Sequence, residues 1–186
     1  RDSMALLHYL NAVKEEYGII LSALNCDHKM RKSSARDSQF VKDWCRERDV
    51  PLFAFDADIH LKSEAEAREW RRNCYFKASK NVDFIATAHH LNDNAETVLF
   101  NLARGSALGG LTGITDASIT NGDGSKLNLI HPLISVTREE INAYIAENNV
   151  PYVDDETNFS DAYTRNYIRI NVLPALENAV PDAAKA

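Results

Sequence analysis

The stretch that decides the fold is Thr87-Ala88-His89-His90-Leu91-Asn92-Asp93-Asn94-Ala95-Glu96-Thr97. It places two histidines, two carboxylates and several amide and hydroxyl side chains side by side in the chain. Residues 83–86, just before it, form a short run typical of a buried parallel strand, and the apolar residues of 95–102 recur at helical spacing. The cluster is therefore predicted to lie where a strand ends and a helix begins, which is where open α/β sheets hold ligands.

Asp93 is also a candidate for the cap of that helix. It stands three residues before Glu96, the spacing of a capping box, in which side chains satisfy the free backbone N–H groups of the first turn. Glu96 therefore has two interpretations, as the capping partner of Asp93 or as a member of a ligand site.

Strand and helix patterns alternate around this corner. Helices are predicted over residues 4–17, from 34 to about 49, and over 63–79, and apolar strands over 19–24, 52–55 and 83–86. The connections are short, which favours an α/β fold with a doubly wound, mainly parallel sheet and helices on both faces. Because no strand precedes the first helix, we expect the first strand of the sheet to be missing from this sequence, which would be truncated at its start.

The whole chain, residues 1–186, is predicted to form a single domain. Its second half is predicted to add smaller elements to that domain. Residues 105–113 are rich in glycine but lack a dinucleotide fingerprint, so a loop is expected there. A turn at 121–124 suggests a small hairpin insertion near 115–131. Thr137 with Glu140 is predicted to cap a helix to about Asn148, and residues 160–186 to form a helical segment broken near Pro174.

Composition limits the class of protein. Apolar residues make up 45% and charged residues 26% of the chain, and no run of eighteen apolar residues is present, which predicts a soluble protein without a membrane span. The start has no signal-peptide pattern, so a cytoplasmic location is expected. Cys26, Cys45 and Cys74 have neither metal-site nor disulfide-framework spacing, and we expect them to be reduced and mostly packed.

The net charge of −6 is distributed unevenly. Residues 1–104 carry 16 basic and 16 acidic side chains, whereas 105–186 carry 5 and 11, so the first part is the better candidate for binding anions. Two basic clusters lie there, each with a solvated face as the alternative interpretation: Lys29, Arg31, Lys32 and Arg36 in a loop, and Arg68, Arg71 and Arg72 on a helix.

Several motifs together resemble one family, tRNA(Ile)-lysidine synthetases within the PP-loop (N-type) ATP pyrophosphatases. They span nearly the whole chain: Arg1-Asp2-Ser3, Asp27-His28-x-x-Arg31, Ala67-Arg68-Glu69-x-Arg71, the 87–97 stretch with Arg104-Gly105-Ser106, His131-Pro132-Leu133, Thr137-Arg138-Glu139-Glu140-Ile141, Asp154-Asp155-x-x-Asn158 and Thr164-Arg165-Asn166-x-Ile168-Arg169. Lys29-Met30 stand where the family has glycine and leucine.

The resemblance implies an adenine nucleotide alpha hydrolase-like fold and a ligase activity. In that family ATP adenylates O2 of the wobble cytidine of an isoleucine tRNA with a CAU anticodon, and pyrophosphate is released. The amine of free lysine then displaces AMP at C2, giving lysidine. The implied cofactors are ATP and Mg²⁺, the implied partners are the tRNA and lysine, and whether the protein forms a homodimer is left open.

The resemblance also implies roles for individual residues. Asp2 and Asp93 would hold Mg²⁺ and, with Arg104, act in catalysis, because magnesium prefers carboxylate and phosphate oxygens. The other nucleotide-binding residues would be Ser3, Asp27, His28, His89, His90 and Glu96, and those contacting tRNA would be Arg31, Arg68, Arg165 and Arg169.

Three of these roles have alternatives. Arg104 would stabilise developing charge, or would simply complement the C-terminal end of its helix. One of His89 and His90 would be only a hydrogen-bonding residue at a strand end. Arg165 and Arg169 would contact tRNA, or would pair with the acidic residues at 154–156.

Two rival functions remain. One is a PP-loop enzyme that inserts sulfur into tRNA, which would need closely paired cysteines or an iron–sulfur cluster. The other is a non-catalytic module that binds nucleotide or tRNA and lacks its phosphate loop.

Overall fold

The computed structural model describes residues 1–29, 33–58, 61, 63–122, 125–153 and 164–185. Its helices are α1 (Asp2–Val13), α2 (Ser34–Glu47), α3 (Glu64–Ala78), α4 (Leu91–Ala103), α5 (Arg138–Glu147), α6 (Thr164–Tyr167) and α7 (Leu173–Ala179). Its strands are β1 (Ala23–Asp27), β2 (Leu52–Asp56), β3 (Ile85–Ala86), β4 (Ala117–Gly122) and β5 (Ser125–Ile130). Among the described residues, no helix combines the length and apolar character that crossing a bilayer requires.

The chain divides into two compact units. The first unit comprises Arg1–Leu6, Ala86–Ser118 and Ile130–Ala186, and the second comprises Leu7–Ile85 and Ile119–Leu129.

A parallel strand pair organises the second unit. β1 pairs with β2 from Ala23 opposite Leu52 to Asp27 opposite Asp56, and α2 forms the crossover that a parallel pair requires. This β-α-β arrangement confirms the predicted α/β class. α3 then begins as predicted, with the Ser63 hydroxyl accepting a hydrogen bond from the backbone N–H of Glu66 at 3.2 Å.

The predicted strand over residues 19–24 is wrong in position. The strand lies at Ala23–Asp27, and Ile20 is 98% exposed. The preceding residues finish the turn that ends α1, where Gly18 has φ +64° and the backbone N–H of Ile19 bonds to the carbonyl of Lys14. The apolar pattern alone could not show that the end of a helix would occupy residues 14–19.

The core of the second unit lies between the strands and their helices. Leu127 and Ile85 pack with Ala78 of α3, and Leu24 and Phe55 of the parallel pair pack against them. From α2, Trp44 and Cys45 are buried, as its helical pattern predicts. This packing fixes the carboxyl ends of β1 and β2, where Asp27 lies.

β3 leads directly into α4, and the second unit's segment Leu7–Ile85 ends within β3. The four residues between β3 and α4, 87–90, form the corner, and the backbone N–H of Thr87 bonds to the carbonyl of Ile130 at 3.0 Å. β3, β5 and β4 form a three-stranded sheet, in that order. β3 is shorter than predicted, because Phe84 is 61% exposed and lies outside it.

α5 begins with the predicted capping box. The Thr137 hydroxyl accepts from the backbone N–H of Glu140 at 3.2 Å, and the Glu140 carboxylate accepts from the backbone N–H of Thr137 at 2.7 Å.

The final helical segment is not broken at Pro174, contrary to the prediction. α6 passes into a π-helical stretch, Ile168–Val172, and then into α7. Proline has no N–H to donate to the carbonyl four residues earlier, and a wider helical register accommodates this without ending the helix. Arg169 lies in the π-helical stretch.

Candidate functional site

Three helices of the first unit begin around one buried histidine. Nε2 of His90, which is 0% exposed, lies 3.4 Å from Oδ2 of Asp93 and 3.8 Å from Oδ2 of Asp2. A guanidinium nitrogen of Arg138 lies 3.3 Å from the same nitrogen. Asp2, Asp93 and Arg138 belong to the first turns of α1, α4 and α5, so the amino-terminal ends of three helices meet at His90.

Backbone hydrogen bonds hold the starts of α4 and α5 together. The backbone N–H of Leu91 donates to the carbonyl of Val136 at 3.0 Å, and the backbone N–H of Arg138 donates to Oδ1 of Asn92 at 3.0 Å. Leu91 thus satisfies the orphan N–H of its first turn with a carbonyl just before α5, and Arg138 satisfies its own with a side chain in the first turn of α4. Arg138 is a site residue that sequence reasoning missed, although it belongs to the motif Thr137-Arg138-Glu139-Glu140.

The residue at the cap of α4 is His90, which corrects the prediction that Asp93 is the cap. Asp93 is the third residue of the helix, and its Oδ2 accepts a hydrogen bond from the backbone N–H of His90 at 3.1 Å. The capping pair is therefore His90 with Asp93, one turn earlier than the predicted pair of Asp93 with Glu96. Glu96 therefore does not take part in capping α4.

Glu96 forms an ion pair with Arg169. Its carboxylate, in a residue that is only 2% exposed, accepts from Nε of Arg169 at 2.6 Å and from a terminal nitrogen at 2.8 Å. The same terminal nitrogen donates to Oδ1 of Asp93 at 3.2 Å. The hydrogen bond to Glu96 raises the pKa of Arg169, and burial opposes that rise. Arg169 thereby holds Glu96 and Asp93 in one orientation.

This position of Arg169 differs from the expectation that it contacts tRNA. Its guanidinium is occupied by two carboxylates of its own unit, and its side chain is 25% exposed. The alternative pairing with residues 154–156 lies outside the described residues. Nε and one terminal nitrogen of this guanidinium orient the two carboxylates, and the contact of Arg169 with tRNA stays a prediction.

The electrostatics of the site favour an anion together with a cation. Helix amino-termini carry partial positive charge and present backbone N–H groups, so three of them attract phosphate. Burial lowers the pKa of His90, although the carboxylates of Asp93 and Asp2 oppose that effect. His90 is therefore neutral at pH 7 and does not neutralise the two aspartates beside it.

The two neighbouring histidines have separate roles. His89 is exposed, and its Nδ1 lies 2.7 Å from the Thr87 hydroxyl, as expected of the hydrogen-bonding residue at a strand end. Its ring lies edge-on to that of His131, with centroids 5.2 Å apart. Nδ1 of His131 donates to the carbonyl of Thr115 at 2.7 Å, so its proton is on that nitrogen. His131 was missed as a candidate, although it begins the motif His131-Pro132-Leu133.

The structure does not bring Arg104 to His90. Arg104 ends α4, and a helical rise of about 1.5 Å per residue puts it roughly 16 Å along the axis from Asp93. Its guanidinium lies over the ring of Phe100, 5.3 Å from the centroid. Ser3, by contrast, is exposed in the first turn of α1 beside Asp2.

Other predicted residues belong to the second unit. Asp27 ends β1 and its carboxylate accepts from the backbone N–H of Lys29 at 2.8 Å. His28 lies 3.2 Å from a guanidinium nitrogen of Arg71 and edge-on to Trp70, with ring centroids 5.1 Å apart. Arg68 is exposed on α3. Arg31 lies outside the described residues.

The cysteines are free, as predicted. Cys45 and Cys74 are buried and Cys26 is half-buried. Burial raises the pKa of the Cys26 thiol to about 12, and the neighbouring Cys74 makes a smaller contribution to this rise. Across the part of the chain that is described, no group of three or more His, Cys, Asp and Glu side chains is placed to hold a metal ion unaided.

A family model described as "PP-loop domain" matches residues 1–176 of the chain. Among curated relatives, tRNA(Ile)-lysidine synthase of Pseudothermotoga lettingae is 37% identical over 185 residues, which are 95% of this chain and 40% of the relative. The enzyme of the same name from Parabacteroides distasonis is 40% identical over 192 residues, covering 98% of this chain and 41% of the relative. The chain thus spans about two fifths of the length of these relatives.

A solved structure shares the fold. It is the U34-tRNA thiolase NcsA from Methanococcus maripaludis with its [4Fe-4S] cluster, which matches with a TM-score of 0.76 and 18% identity over 99% of this chain and 64% of that one. At this identity the likeness concerns the fold alone. From the family match over residues 1–176, the chain belongs to the PP-loop domain family.

Proposed function

We propose that this chain is the catalytic part of a tRNA(Ile)-lysidine synthase. The enzyme would use ATP to adenylate the wobble cytidine of an isoleucine tRNA with a CAU anticodon, and would then join free lysine to C2 of that base. The observation that carries this assignment is the pair Asp2 and Asp93, which approach the same buried nitrogen of His90 from the first turns of two helices. The names of the matched relatives point to the same reaction.

The donor set fits Mg²⁺ bound together with nucleotide phosphates. Two carboxylates are too few to enclose an ion, and magnesium in ATP-using enzymes is commonly held by one or two carboxylates and the phosphates of the substrate. Asp2 and Asp93 would supply those carboxylates. The bound ion would neutralise charge between the aspartates and the phosphates and would stabilise the departing pyrophosphate.

The chain itself would hold the phosphates through its helix starts. The backbone N–H groups at the start of α1, the Ser3 hydroxyl and the guanidinium of Arg138 are donors of the kind that bind phosphate oxygens. His90, being neutral and fully buried, would keep the starts of α4 and α5 at a fixed spacing. Arg169 would keep Asp93 oriented through its hydrogen bond to Oδ1.

The base and adenosine would be bound by other residues. Asp27 and His28 are proposed to contact the adenosine, and the exposed ring of His89 the cytidine. Arg68 and Arg165 are proposed to contact tRNA. Lysine would be the second substrate, and the cytoplasm, where tRNA is modified, the place of action.

The reaction is tested with the full-length protein. It should release pyrophosphate from ATP and incorporate labelled lysine into the isoleucine tRNA, and a tRNA with uridine at the wobble position should accept none. Incorporation of sulfur would identify the thiolation enzyme, and RNA binding without ATP turnover would identify a binding module; either result contradicts the assignment.

Asp93→Asn tests the site within that reaction. The rate of lysine incorporation should fall about tenfold or more in the variant, because an amide is a poor magnesium ligand and lacks the negative charge. Asp83→Asn, at an exposed aspartate of the second unit, is the matched control and should retain the parent rate. Equal rates for both variants would refute the role of Asp93.

A further inference from the structure

Two cysteines meet inside the second unit. Cys26 lies on β1 and Cys74 on α3, and a hydrogen bond joins their thiols. The two residues are far apart in the chain, so their spacing gave no sign of this contact. We call these two residues the thiol pair.

The packing of α3 on β1 holds the thiol pair on both sides. Before it, Leu24 of β1 packs against the core cluster that contains Ala78 of α3. After it, His28 lies 3.2 Å from a guanidinium nitrogen of Arg71 and edge-on to Trp70 of the same helix. Alternate residues of an extended chain share a face, so residues 24, 26 and 28 all meet α3. The two sulfur atoms are therefore kept together by the fold.

Both thiols of the pair carry their protons at neutral pH. Cys74 is buried and Cys26 is half-buried, and burial raises the pKa of each thiol. A disulfide forms by attack of a thiolate, and little thiolate is present when the pKa is raised. A soft metal ion, by contrast, displaces the protons as it binds.

The number of ligands and the nearby charges favour a soft monovalent ion. Thiolates select ions such as Cu⁺, which two sulfur ligands can hold, whereas structural Zn²⁺ takes four ligands. Within the described ranges, no group of three or more His, Cys, Asp and Glu side chains could hold a metal ion. Exchange of two protons for one monovalent ion leaves a negative charge. Arg71 and Lys77 supply positive charge near it, since they oppose the effect of burial on the pKa of Cys26 and of Cys74 respectively.

We propose that the thiol pair is a binding site for a soft monovalent cation of the Cu⁺ class, held between the two sulfur atoms. Two S–H bonds break, two metal–sulfur bonds form and two protons leave to solvent, while copper and sulfur keep their oxidation states. The half-buried Cys26 gives the ion access, and the buried Cys74 completes the site. The bound ion would join β1 to α3. This site is independent of the proposed function, since it uses neither ATP nor tRNA.

The probe is Cu⁺ alone, titrated without oxygen into the full-length protein in competition with a coloured Cu⁺ chelator. For Cys26→Ser and Cys74→Ser we expect the affinity of the site to fall about a hundredfold or more, because a hydroxyl is a poor ligand for a soft ion. Cys45→Ser is the matched control, since Cys45 is a buried cysteine on α2, and its affinity should stay within about twofold of the parent.

A second measurement needs no variant that could misfold. The same titration at pH 7 in weak buffer records the protons released, and the parent protein should release about two per ion bound at this site. Cys26→Ala and Cys74→Ala add no buried hydroxyl, and they should lose the ion as the serine variants do. Comparison of serine with alanine therefore separates the loss of a ligand from damage to the core.

Parental affinity for Cu⁺ in both Cys26→Ala and Cys74→Ala would refute the site. Release of about one proton per ion, or loss of binding in one of the two variants only, would show a single thiol ligand and would also refute it. Because the titration contains no ATP, lysine or tRNA, a thiol pair that binds Cu⁺ stands even if no lysidine forms. Conversely, lysidine formation by a protein without this copper site refutes only the thiol pair.

Discussion

Glu96 has a different role in the structure from the capping role that its sequence spacing suggests. Its spacing from Asp93 is that of a capping box, yet the cap of α4 is His90 and Glu96 lies a turn further along, against Arg169. The partners are 73 residues apart in the chain, and local spacing carries no information about contacts of that range. The sequence therefore identified Glu96, Asp93 and Arg169 as candidate site residues, but not the ion pair that joins them.

At this scale we expect Glu96→Gln to destabilise the fold. The substitution removes the charged partner of a partly buried guanidinium, which costs about 1–3 kcal/mol in the free energy of unfolding. Urea denaturation measures it, and Glu69→Gln, whose side chain is 66% exposed beside Arg72, should change stability by less than about 0.5 kcal/mol. If the ion pair matters, Arg169→Gln combined with Glu96→Gln will cost less than the sum of the two; simple additivity would mean that the pair is not coupled.

Cys26 provides a second test on a single residue. Burial raises the pKa of its thiol to about 12 in the folded protein, whereas the thiol of the unfolded chain has a pKa near 9. The protonated thiol therefore favours folding below pH 9, and this stabilisation is lost as the pH rises from 9 towards 12. Alkylation of Cys26 by iodoacetamide at pH 8, followed by mass spectrometry, should be roughly a thousandfold slower in the native protein than in urea. Comparable rates would show that the thiol is neither buried nor shifted.

At the scale of elements, the glycine-rich segment is held to α4 by asparagines. Oδ1 of Asn94 accepts from the backbone N–H of Ile114, and Asn101 bonds to Gly110, two helical turns further along. Sequence composition predicted a loop here, and the structure adds that α4 fixes it at both ends. Gly113 permits the close approach, because it has φ +65° and a β-carbon there would overlap the Asn94 side chain.

Gly113→Ala should consequently destabilise the protein by about 2–4 kcal/mol, through left-handed backbone strain and overpacking. Gly109→Ala is the matched control, since a β-carbon at that position meets nothing within 4 Å and its φ is not positive. Thermal or urea unfolding of the two variants measures the difference. A Gly113→Ala protein as stable as Gly109→Ala would mean that the loop is not held in this conformation.

Other elements show where local signals suffice. Thr137 with Glu140 predicts the start of α5 from local spacing, and the structure confirms it. The helix predicted from residue 63 also begins as expected, and the structure shows Ser63 as its cap. The strand after α1 was misplaced because its register depends on pairing with β2, which no local pattern reveals. Pro174 predicts a helix break, and the prediction is wrong because proline alone does not indicate the wider π-helical turn.

For the whole molecule, the motifs taken together were more informative than any element. The predicted α/β class and the PP-loop family are confirmed by the parallel pair and by the match over residues 1–176. The meeting of three helix starts at His90 depends on how α1, α4 and α5 pack, so the contact of Arg138 with His90 is seen only in the folded chain, although a sequence motif contains Arg138. The roles of Asp2 and Asp93 as metal ligands stay a prediction.

The most direct test of those roles is the affinity of the full-length protein for ATP, measured with Mg²⁺ and with the metal chelated. For Asp2→Asn and Asp93→Asn we expect binding of Mg²⁺-ATP to weaken about tenfold or more, while binding of metal-free ATP stays equal or tightens, because a negative charge near the phosphates is gone. Parental affinity for Mg²⁺-ATP in both variants, or the same loss with and without metal, would contradict a magnesium-bound nucleotide held between these two aspartates.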